Sequence, residues 1–222
     1  MKIDFHIHTK YSIDSLSEPR RIIQICRKGG IIPAIADHNN MRAHADFRSI
    51  DRRFKFIPAE EISTNKGDLI GLFLNEPIHR KTPFMDAIDA IKSQGGLSYL
   101  PHMFDVTRGG VANETLAEEV DIIETFNGRA VLGNANKRAD EFATIAKKPK
   151  AAGSDAHFTM ELGKTFTEIS GCGSDCDSDC ELEPRPLLRA LKRSRLHCHY
   201  SPIYLKGITY AIVAYKKMFG RM

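Results

Sequence analysis

No stretch of the 222-residue chain approaches the roughly 18 consecutive apolar residues of a membrane-spanning helix. The first residues also lack the features of a signal peptide, because charged residues interrupt each short apolar run there. These absences argue against a membrane-spanning or a secreted protein. We therefore expect a cytoplasmic protein with no membrane partner.

Cysteine is scarce, and its five copies are an odd number. Three of them, Cys172, Cys176 and Cys180, crowd into one short segment, which argues against a disulfide framework and makes reduced thiols the default. Their spacing matches no standard zinc pattern. The Ser, Asp and Gly around them favour an acidic, cysteine-containing insertion over residues 171–183, with an additional metal site as the alternative.

Neither sign of charge dominates, since 32 Lys and Arg stand against 28 Asp and Glu, giving a formal net charge of +4. This balance argues against a protein that binds nucleic acid broadly, so nucleic acid is expected only as a substrate. The small positive excess suits an anionic substrate. The composition leaves the oligomeric state open.

Hydrophobic residues make up 42% of the chain, which is enough to bury a core. We predict one domain over residues 1–222. Residues 201–222 are apolar and basic by turns and are predicted to form a C-terminal helix. Packing against the domain is the favoured role of this helix, and lying on a membrane surface is the alternative.

Strand-like and helix-like segments alternate along most of the chain. About seven such units indicate an α/β fold with a parallel sheet, closed into a barrel, with an open doubly wound sheet as the alternative. The apolar segment DLIGLFL is predicted to pair with its neighbour across the turn at Asn65, Lys66 and Gly67.

Histidines and carboxylates stand at the carboxyl ends of the predicted strands. His6 and His8 share one face of the first strand, about 6.6 Å apart along it. In either fold these strand ends meet at one edge of the sheet. The other such residues are His38, Glu61, His102, Asp155 and His157.

Imidazole nitrogen and carboxylate oxygen are the usual protein ligands of Zn²⁺, Mn²⁺ and Fe²⁺. The set exceeds what one tetrahedral ion needs, which indicates two or three divalent ions. Such a cluster activates water and stabilises a transferring phosphoryl group. Hydrolysis of a phosphate ester is therefore the natural reaction class.

Five motifs, in this order, resemble those of the PHP (polymerase and histidinol phosphatase) family of metal-dependent phosphoesterases. They are HIHTKYSIDS, Asp37-His38, PAEEIS, Pro101-His102 and GSDAH. The resemblance covers about residues 1–170 and returns around 186–195. It implies a distorted seven-stranded β/α (TIM-like) barrel with a two- or three-metal site at its C-terminal rim.

The resemblance also implies a ligand for each ion. The first ion would be held by His6, His8, Glu61 and Asp155. Glu61 would bridge to a second ion that His102 also binds, and the third would be held by Asp14, His38 and His157. Asp68 stands where family members with a full three-metal site have a histidine, so its role as a ligand is open. Asp37 could orient a neighbouring imidazole.

Arg108 follows His102 at the spacing where similar proteins place an arginine near the substrate phosphate, and a guanidinium binds phosphate in bidentate fashion. Arg129 and Lys164 are second choices for phosphate binding, and Asn127 could hydrogen-bond to substrate. The residues predicted to be catalytic are Glu61, His102, Asp155 and Arg108.

We therefore predict hydrolysis of a phosphate ester by a metal-activated hydroxide. A small nucleotide-like phosphomonoester ranks ahead of histidinol phosphate as the substrate. A non-catalytic PHP-type scaffold is one alternative, although the nearly complete ligand set argues against it. A metal-dependent amidohydrolase is another. No lysine ends a predicted strand to form the carbamylated bridge of that class, although Glu61 could replace it.

Overall fold

Strands and helices alternate along the chain, as the sequence predicts. The computed structural model describes residues 1–170 and 182–219. The strands in these ranges are β1 (Lys2–Ile7), β2 (Ile31–His38), β3 (Ile57–Ser63), β4 (Asp68–Leu72), β5 (Leu97–Leu100), β6 (Ile122–Asn127), β7 (Lys150–Gly153), β8 (Phe166–Ile169) and β9 (Ser194–His197). The α-helices are α1 (Pro19–Gly29), α2 (Ala43–Ile50), α3 (Phe84–Ser93), α4 (Glu114–Glu118), α5 (Ala135–Ile145), α6 (Pro184–Leu191) and α7 (Ile203–Phe219).

The predicted acidic insertion at 171–183 lies largely outside the described residues, because residues 171–181, which include Cys172, Cys176 and Cys180, are not among them. The predicted C-terminal helix corresponds to α7. Leu205 and Ile212 of α7 are buried. No helix within the described ranges is long and apolar enough to cross a membrane.

The strands form one sheet with the order β7-β6-β5-β4-β3-β2-β1-β8-β9. The strands β1, β2 and β3 run parallel to one another, as do β5, β6 and β7. The strand β4 is antiparallel to both of its neighbours and pairs with β3 across the predicted turn. Because of this reversal, the start of β4 lies at the same rim as the ends of the parallel strands.

The sheet nearly closes into a barrel between β1 and the residues after β7. Ile7 forms a parallel bridge with Ala156. The Asp155 N–H donates to the His6 carbonyl oxygen at 2.8 Å, and the His8 N–H donates to the Ala156 carbonyl oxygen at 3.0 Å. The open doubly wound alternative therefore does not describe this sheet.

The predicted count of seven strands is not confirmed, since the sheet has nine strands in the described residues. The two additional strands are β8, antiparallel to the start of β1, and β9, antiparallel to β8. Each has only four residues. Neither the mixed segment FTEI nor the polar segment SRLH carries the apolar run or long alternation that indicates a strand.

A bulge in β1 decides which of its side chains face the barrel interior. The pairing of β1 with β2 shifts register between Asp4 and Ile7. Ile3 and Phe5 belong to the apolar cluster inside the barrel, whereas Ile7 packs in another cluster with α1 and α2. The irregularity lets Phe5 pack inside while the next residue, His6, also faces the interior.

The interior cluster combines side chains from β1 to β8 with two leucines of α6, Leu187 and Leu191. Phe5 and Tyr99 are fully buried there, with stacked rings whose centroids are 5.7 Å apart. Their packing fills the barrel directly below the polar rim.

We predict that Phe5→Ala lowers the free energy of unfolding by about 3–5 kcal/mol, because it leaves a cavity in this interior cluster. Urea denaturation measures the change. The control is Ile145→Ala, at a side chain that is 82% exposed. It should change the free energy by less than about 0.5 kcal/mol. Equal effects of the two substitutions would contradict the assignment of Phe5 to the core.

Candidate metal centre

The histidines and carboxylates singled out in the sequence come together at one rim of the barrel. His6 and Glu61 lie in their strands, whereas His102 and Asp155 follow theirs. Ligand atoms within 4.8 Å of one another form three groups. These groups are His6, His8 and Glu61; His8, Asp14, His38 and His157; and Glu61, Asp68 and His102.

In the first group two imidazoles face each other across 3.0 Å, the distance between the Nε2 atoms of His6 and His8. Glu61 Oε2 lies 3.4 Å from His6 Nε2 and 3.3 Å from His8 Nε2. Asp155 Oδ1 lies 3.3 Å from His8 Nε2. All four side chains are buried. The geometry brings together the four residues predicted to hold the first ion.

Hydrogen bonds on the far side of each ring indicate which nitrogen carries the proton. Glu124 accepts from Tyr99 OH, from two other N–H groups and from His6 Nδ1 at 3.2 Å, so Nδ1 is the protonated nitrogen of His6. His8 Nδ1 lies 3.0 Å from Ser12 Oγ, whose own proton goes to Asp37. Both Nε2 atoms therefore face the same space and are the ring atoms available to a metal ion.

The second group repeats this pattern. His157 Nδ1 donates to the Asp155 carbonyl oxygen at 2.7 Å, so its Nε2 is the ring atom that faces Asp14 Oδ2, 2.8 Å away. His38 Nε2 lies 3.3 Å from the same Asp14 oxygen. Asp14 stands in the loop after β1, and this geometry brings it to the two histidines with which it was predicted to act.

Glu61 joins the groups, because its two oxygens face different partners. Oε2 faces His6 and His8, and Oε1 lies 3.0 Å from His102 Nε2. Asp68 completes the third group from the start of β4. Burial and the neighbouring Glu61 raise the pKa of Asp68 to about 6. Two carboxylates that crowd one space in this way are typical of a site that holds a cation.

The pKa shifts show how strongly these groups interact. Burial and the nearby His157 and His38 lower the pKa of His8 to about 3, which keeps this ring neutral. Burial opposes ionisation of Asp155, but Arg108 and His6 outweigh it and hold the pKa of this carboxyl well below its usual range.

Burial opposes protonation of His6 and His38, but nearby carboxylates, Asp155 and Glu61 at His6 and Glu61 and Asp14 at His38, raise the pKa of both rings, that of His38 to about 10. Metal binding at these rings would therefore release protons, because metal ions bind neutral imidazole and ionised carboxylate.

The donor set passes a direct test of whether it fits divalent metal ions. Imidazole nitrogens and carboxylate oxygens converge, and buried Oδ1 atoms of Asp14 and Asp155 have no hydrogen-bond partner in the described structure. Buried acceptors without donors are costly, and a cation satisfies them. The residues therefore fit divalent metals. Their number and identity remain predictions.

Backbone strain coincides with two of the predicted ligands. His102 has φ +33° and Asp155 has φ +54°, in the left-handed region that residues other than glycine rarely adopt. Each such residue costs about 1–3 kcal/mol and persists where the surroundings hold it. The strain places the side chains of two predicted ligands at the rim at the expense of local stability.

Glu124 is a residue of the site that the sequence reasoning missed. It is fully buried in β6, where its Oε1 contacts His6 and accepts from Tyr99 OH at 2.9 Å. Its Oε2 accepts from the His102 backbone N–H at 2.6 Å and from Asn127 Nδ2 at 2.8 Å. It thus holds two predicted ligands in place. The available signal was an acid in the middle of the apolar strand IIETFN.

Arg108 lies beside the ligand groups. Its Nη2 is 2.6 Å from Asp155 Oδ2, and its Nη1 donates to Asn127 Oδ1 at 3.2 Å. Arg129 is buried, 3.5 Å from Glu161 Oε2. These three residues, predicted to bind substrate, therefore lie at or next to the site. Lys164 is exposed and is not among the described residues that line the cavity over the site.

A cavity of about 200 Å³ opens over the rim. Predicted metal ligands form one part of its wall, and cationic, hydroxyl and apolar side chains form the rest. The lining residues are Asp14, His38, His102, Thr107, Arg108, Arg129, Val131, His157, Lys206, Thr209, Tyr210 and Val213.

Comparisons with known sequences connect the chain to relatives. A family model described as PHP-associated matches residues 133–196. MJ0417, an uncharacterized protein of Methanocaldococcus jannaschii, is 36% identical over 200 residues, which cover 86% of this chain and 79% of that protein. MJ1587, a second uncharacterized protein of the same organism, is 36% identical over 140 residues, which cover 57% of this chain and 82% of that protein.

Solved structures share the fold at low sequence identity. PsfC of Pseudomonas syringae has a TM-score of 0.60 at 14% identity, with 98% of each chain covered. A Bifidobacterium adolescentis protein classed as a metal-dependent phosphoesterase has a TM-score of 0.58 at 15% identity, covering 71% of this chain and 88% of its own. An amidohydrolase of Chromobacterium violaceum, solved with bound sulfate, has a TM-score of 0.53 at 15% identity, covering 70% of this chain and 87% of its own.

We predict that Glu61→Gln lowers the metal content of the purified protein by at least one ion per chain, because it weakens the carboxylate shared by two ligand groups. Elemental analysis measures the content. Glu76→Gln, at an exposed position, is the control and should bind as much metal as the original chain. Unchanged content in Glu61→Gln would contradict the role of Glu61 as a bridge.

Replacing Glu124 with Gln should weaken metal binding roughly 10- to 100-fold, because an amide no longer orients His6 as a carboxylate does. Titration of the metal-free protein with Mn²⁺ or Zn²⁺ measures the affinity, and circular dichroism checks the fold. Tyr99→Phe removes another hydrogen bond to the same carboxylate and should have a smaller effect. If the Glu124→Gln variant bound metal with the original affinity, the contact of Glu124 with His6 would have a role in packing and none in metal binding.

Proposed function

The chain belongs to the PHP family, and from this premise we propose that it is a metal-dependent hydrolase of phosphate esters. The observation that carries the proposal is the position of Arg108, whose guanidinium borders the cavity next to three groups of metal-type ligands. A cation of this shape beside such ligands suits a phosphoryl group.

The proposed site takes two or three divalent transition-metal ions, with Mn, Zn and Fe as candidates. His6, His8, Glu61 and Asp155 would hold the first, Glu61 and His102 the second with Asp68 as a further ligand, and Asp14, His38 and His157 the third. When bound, the ions would supply Lewis-acid activation of water and of the phosphoryl group.

Arg108 is the proposed phosphate-binding residue. Asp155 and Asn127 each engage one of its terminal nitrogens, which fixes the plane of the guanidinium. A guanidinium has five N–H donors, so about three remain for phosphoryl oxygens. Asn127 acts through this contact and through its hydrogen bond to Asp155 at 3.0 Å. We therefore give Asn127 a positioning role.

The proposed substrate is a small nucleotide-like phosphomonoester, with histidinol phosphate as the alternative. The amidohydrolase reaction remains a second candidate, since one structure with this fold belongs to that class. The cations in the cavity wall favour a phosphate group over the neutral amide. A scaffold without catalysis is the remaining alternative, and the intact ligand set argues against it.

We predict that the purified protein, supplied with Mn²⁺, hydrolyses p-nitrophenyl phosphate and that removal of metal by a chelator abolishes the reaction. Arg108→Met should lower kcat/KM roughly 10²- to 10³-fold, the usual effect of losing one charge-stabilising donor. Release of p-nitrophenol measures the rate. Arg80→Met, at an exposed position, is the matched control and should retain full activity.

Elemental analysis of Arg108→Met separates loss of a phosphate contact from loss of metal, because Arg108 also touches Asp155. A folded, metal-loaded protein that cleaves neither p-nitrophenyl phosphate nor a nucleoside monophosphate would contradict the proposed function. Cleavage of a C–N substrate by the same preparation would favour the amidohydrolase alternative.

A further inference from the structure

The helix α7 forms a roof over the metal-site cavity. Lys206, Thr209, Tyr210 and Val213 line the cavity, and their spacing places them on one face of the helix. The roof lies outside residues 133–196, the part of the chain that the PHP-associated family model matches. The chain therefore covers its site with an element beyond that segment.

Hydrogen bonds fasten this roof at two positions along its length. Arg129 Nη2 donates to Thr209 Oγ1 at 2.6 Å. Toward the C-terminal end of α7, Lys216 Nζ donates to the carbonyl oxygens of Ser12 at 2.7 Å and Ser15 at 2.8 Å. Those carbonyls flank Asp14, a predicted ligand. The roof is therefore tied to the loop that carries part of the metal site.

Lys206 differs from the two arginines in the cavity wall. Arg108 pairs with Asp155 and Arg129 with Glu161, whereas Lys206 Nζ donates to the Ala130 carbonyl oxygen at 2.8 Å. No ion pair of Lys206 occurs within residues 1–170 and 182–219. An ammonium has three donors, so two remain. A positive charge without a carboxylate thus borders the cavity.

We propose that α7 is the specificity element of this site, in which Lys206 and Arg108 together bind the phosphate of a phosphomonoester with a small alcohol group. The inference rests on the proposed function and narrows it, since an ester whose alcohol group is smaller than a nucleoside then ranks ahead of the nucleotide-like substrate at the same site.

Charge supports this assignment. Burial, Arg108 and Arg129 lower the pKa of Lys206, whereas Asp105 and Asp155 raise it by less, so burial and the neighbouring cations outweigh the carboxylates at this ammonium. A dianionic phosphate placed between Lys206 and Arg108 relieves that repulsion and receives charge-assisted hydrogen bonds from both. Arg108 provides a planar fork and Lys206 a compact point charge, a combination that suits a terminal phosphate.

Size supports it as well. The cavity of about 200 Å³ is smaller than the roughly 300–1,000 Å³ of pockets that enclose a drug-sized ligand. A phosphate and a compact alcohol group fit beneath α7 while it is in place.

The first test removes the positive charge of Lys206. Lys206→Met keeps an unbranched side chain and should weaken the binding of inorganic phosphate to the Mn²⁺-loaded protein roughly 10- to 100-fold. Isothermal titration calorimetry measures the affinity. Lys206→Arg should restore most of it, and Lys217→Met, at an exposed position on the same helix, should bind as the original chain does. Equal affinity of Lys206→Met and the original chain would overturn the proposal, as would no phosphate binding by the original chain.

The second test opens the roof. Tyr210→Ala and Val213→Ala shorten two side chains that line the cavity. Each substitution should increase kcat/KM for the bulkier naphthyl phosphate relative to kcat/KM for p-nitrophenyl phosphate, and the ratio of the two values should rise at least severalfold. Tyr204→Ala, at a side chain of α7 outside the cavity lining, should leave the ratio unchanged. An unchanged ratio in both roof variants would overturn the role of α7 in substrate size.

The two proposals fail in different ways. If no phosphate ester is hydrolysed but Lys206→Met still weakens phosphate binding, the result contradicts the proposed function and supports the phosphate subsite. If hydrolysis proceeds and Lys206→Met changes neither phosphate affinity nor KM, the result contradicts the phosphate subsite and supports the proposed function. Elemental analysis of each variant confirms equal metal loading before the comparison.

Discussion

Two backbone hydrogen bonds between β1 and the residues after β7 are the contact on which the rest of the structure depends. They run from Asp155 to His6 and from His8 to Ala156, and they bring the first strand of the barrel to the residues that follow the seventh. The same residues carry predicted ligands. Closing the sheet and assembling the first ligand group are therefore one event. A fold that left this seam open would separate Asp155 from both histidines.

The assembled rim is an unfavourable arrangement by itself. Buried carboxylates and imidazole rings crowd one another, and His102 and Asp155 adopt strained backbone conformations. Removing charges from water costs free energy unless opposite charges are close. Arg108 offsets part of this cost at Asp155, and bound cations would offset much of the rest. Bound metal would thus couple stability to metal binding in this protein, as it does wherever a metal completes a polar interior.

Much of this arrangement could be predicted from the sequence, because a parallel sheet brings the carboxyl ends of its strands to one rim. That rule alone gathers His38, Glu61 and His102, whichever side chains surround them. Asp14 needed the family resemblance, since a loop residue has no periodic signal. Glu124 was missed because alternation in a buried strand does not tell which face an acid occupies.

The roof could not be predicted for a different reason. The sequence of α7 indicates a helix with apolar and basic residues, but its position over the cavity depends on contacts with residues far along the chain, such as those of Lys216 with Ser12 and Ser15. The short strands β8 and β9 likewise owe their pairing to the exposed edge of β1 and to each other, and not to their own composition.

The bulge in β1 has a consequence for how this chain can change over evolution. The extra residue between Asp4 and Ile7 decides which face of the sheet each later side chain of the strand points to. Deleting one residue there would reverse those faces and turn both imidazoles toward the helices, although every ligand would still be present in the sequence. Insertions and deletions at the start of the chain are therefore more damaging than most substitutions there. A related chain without the bulge would keep both histidines in its sequence, but they would no longer face the candidate metal centre.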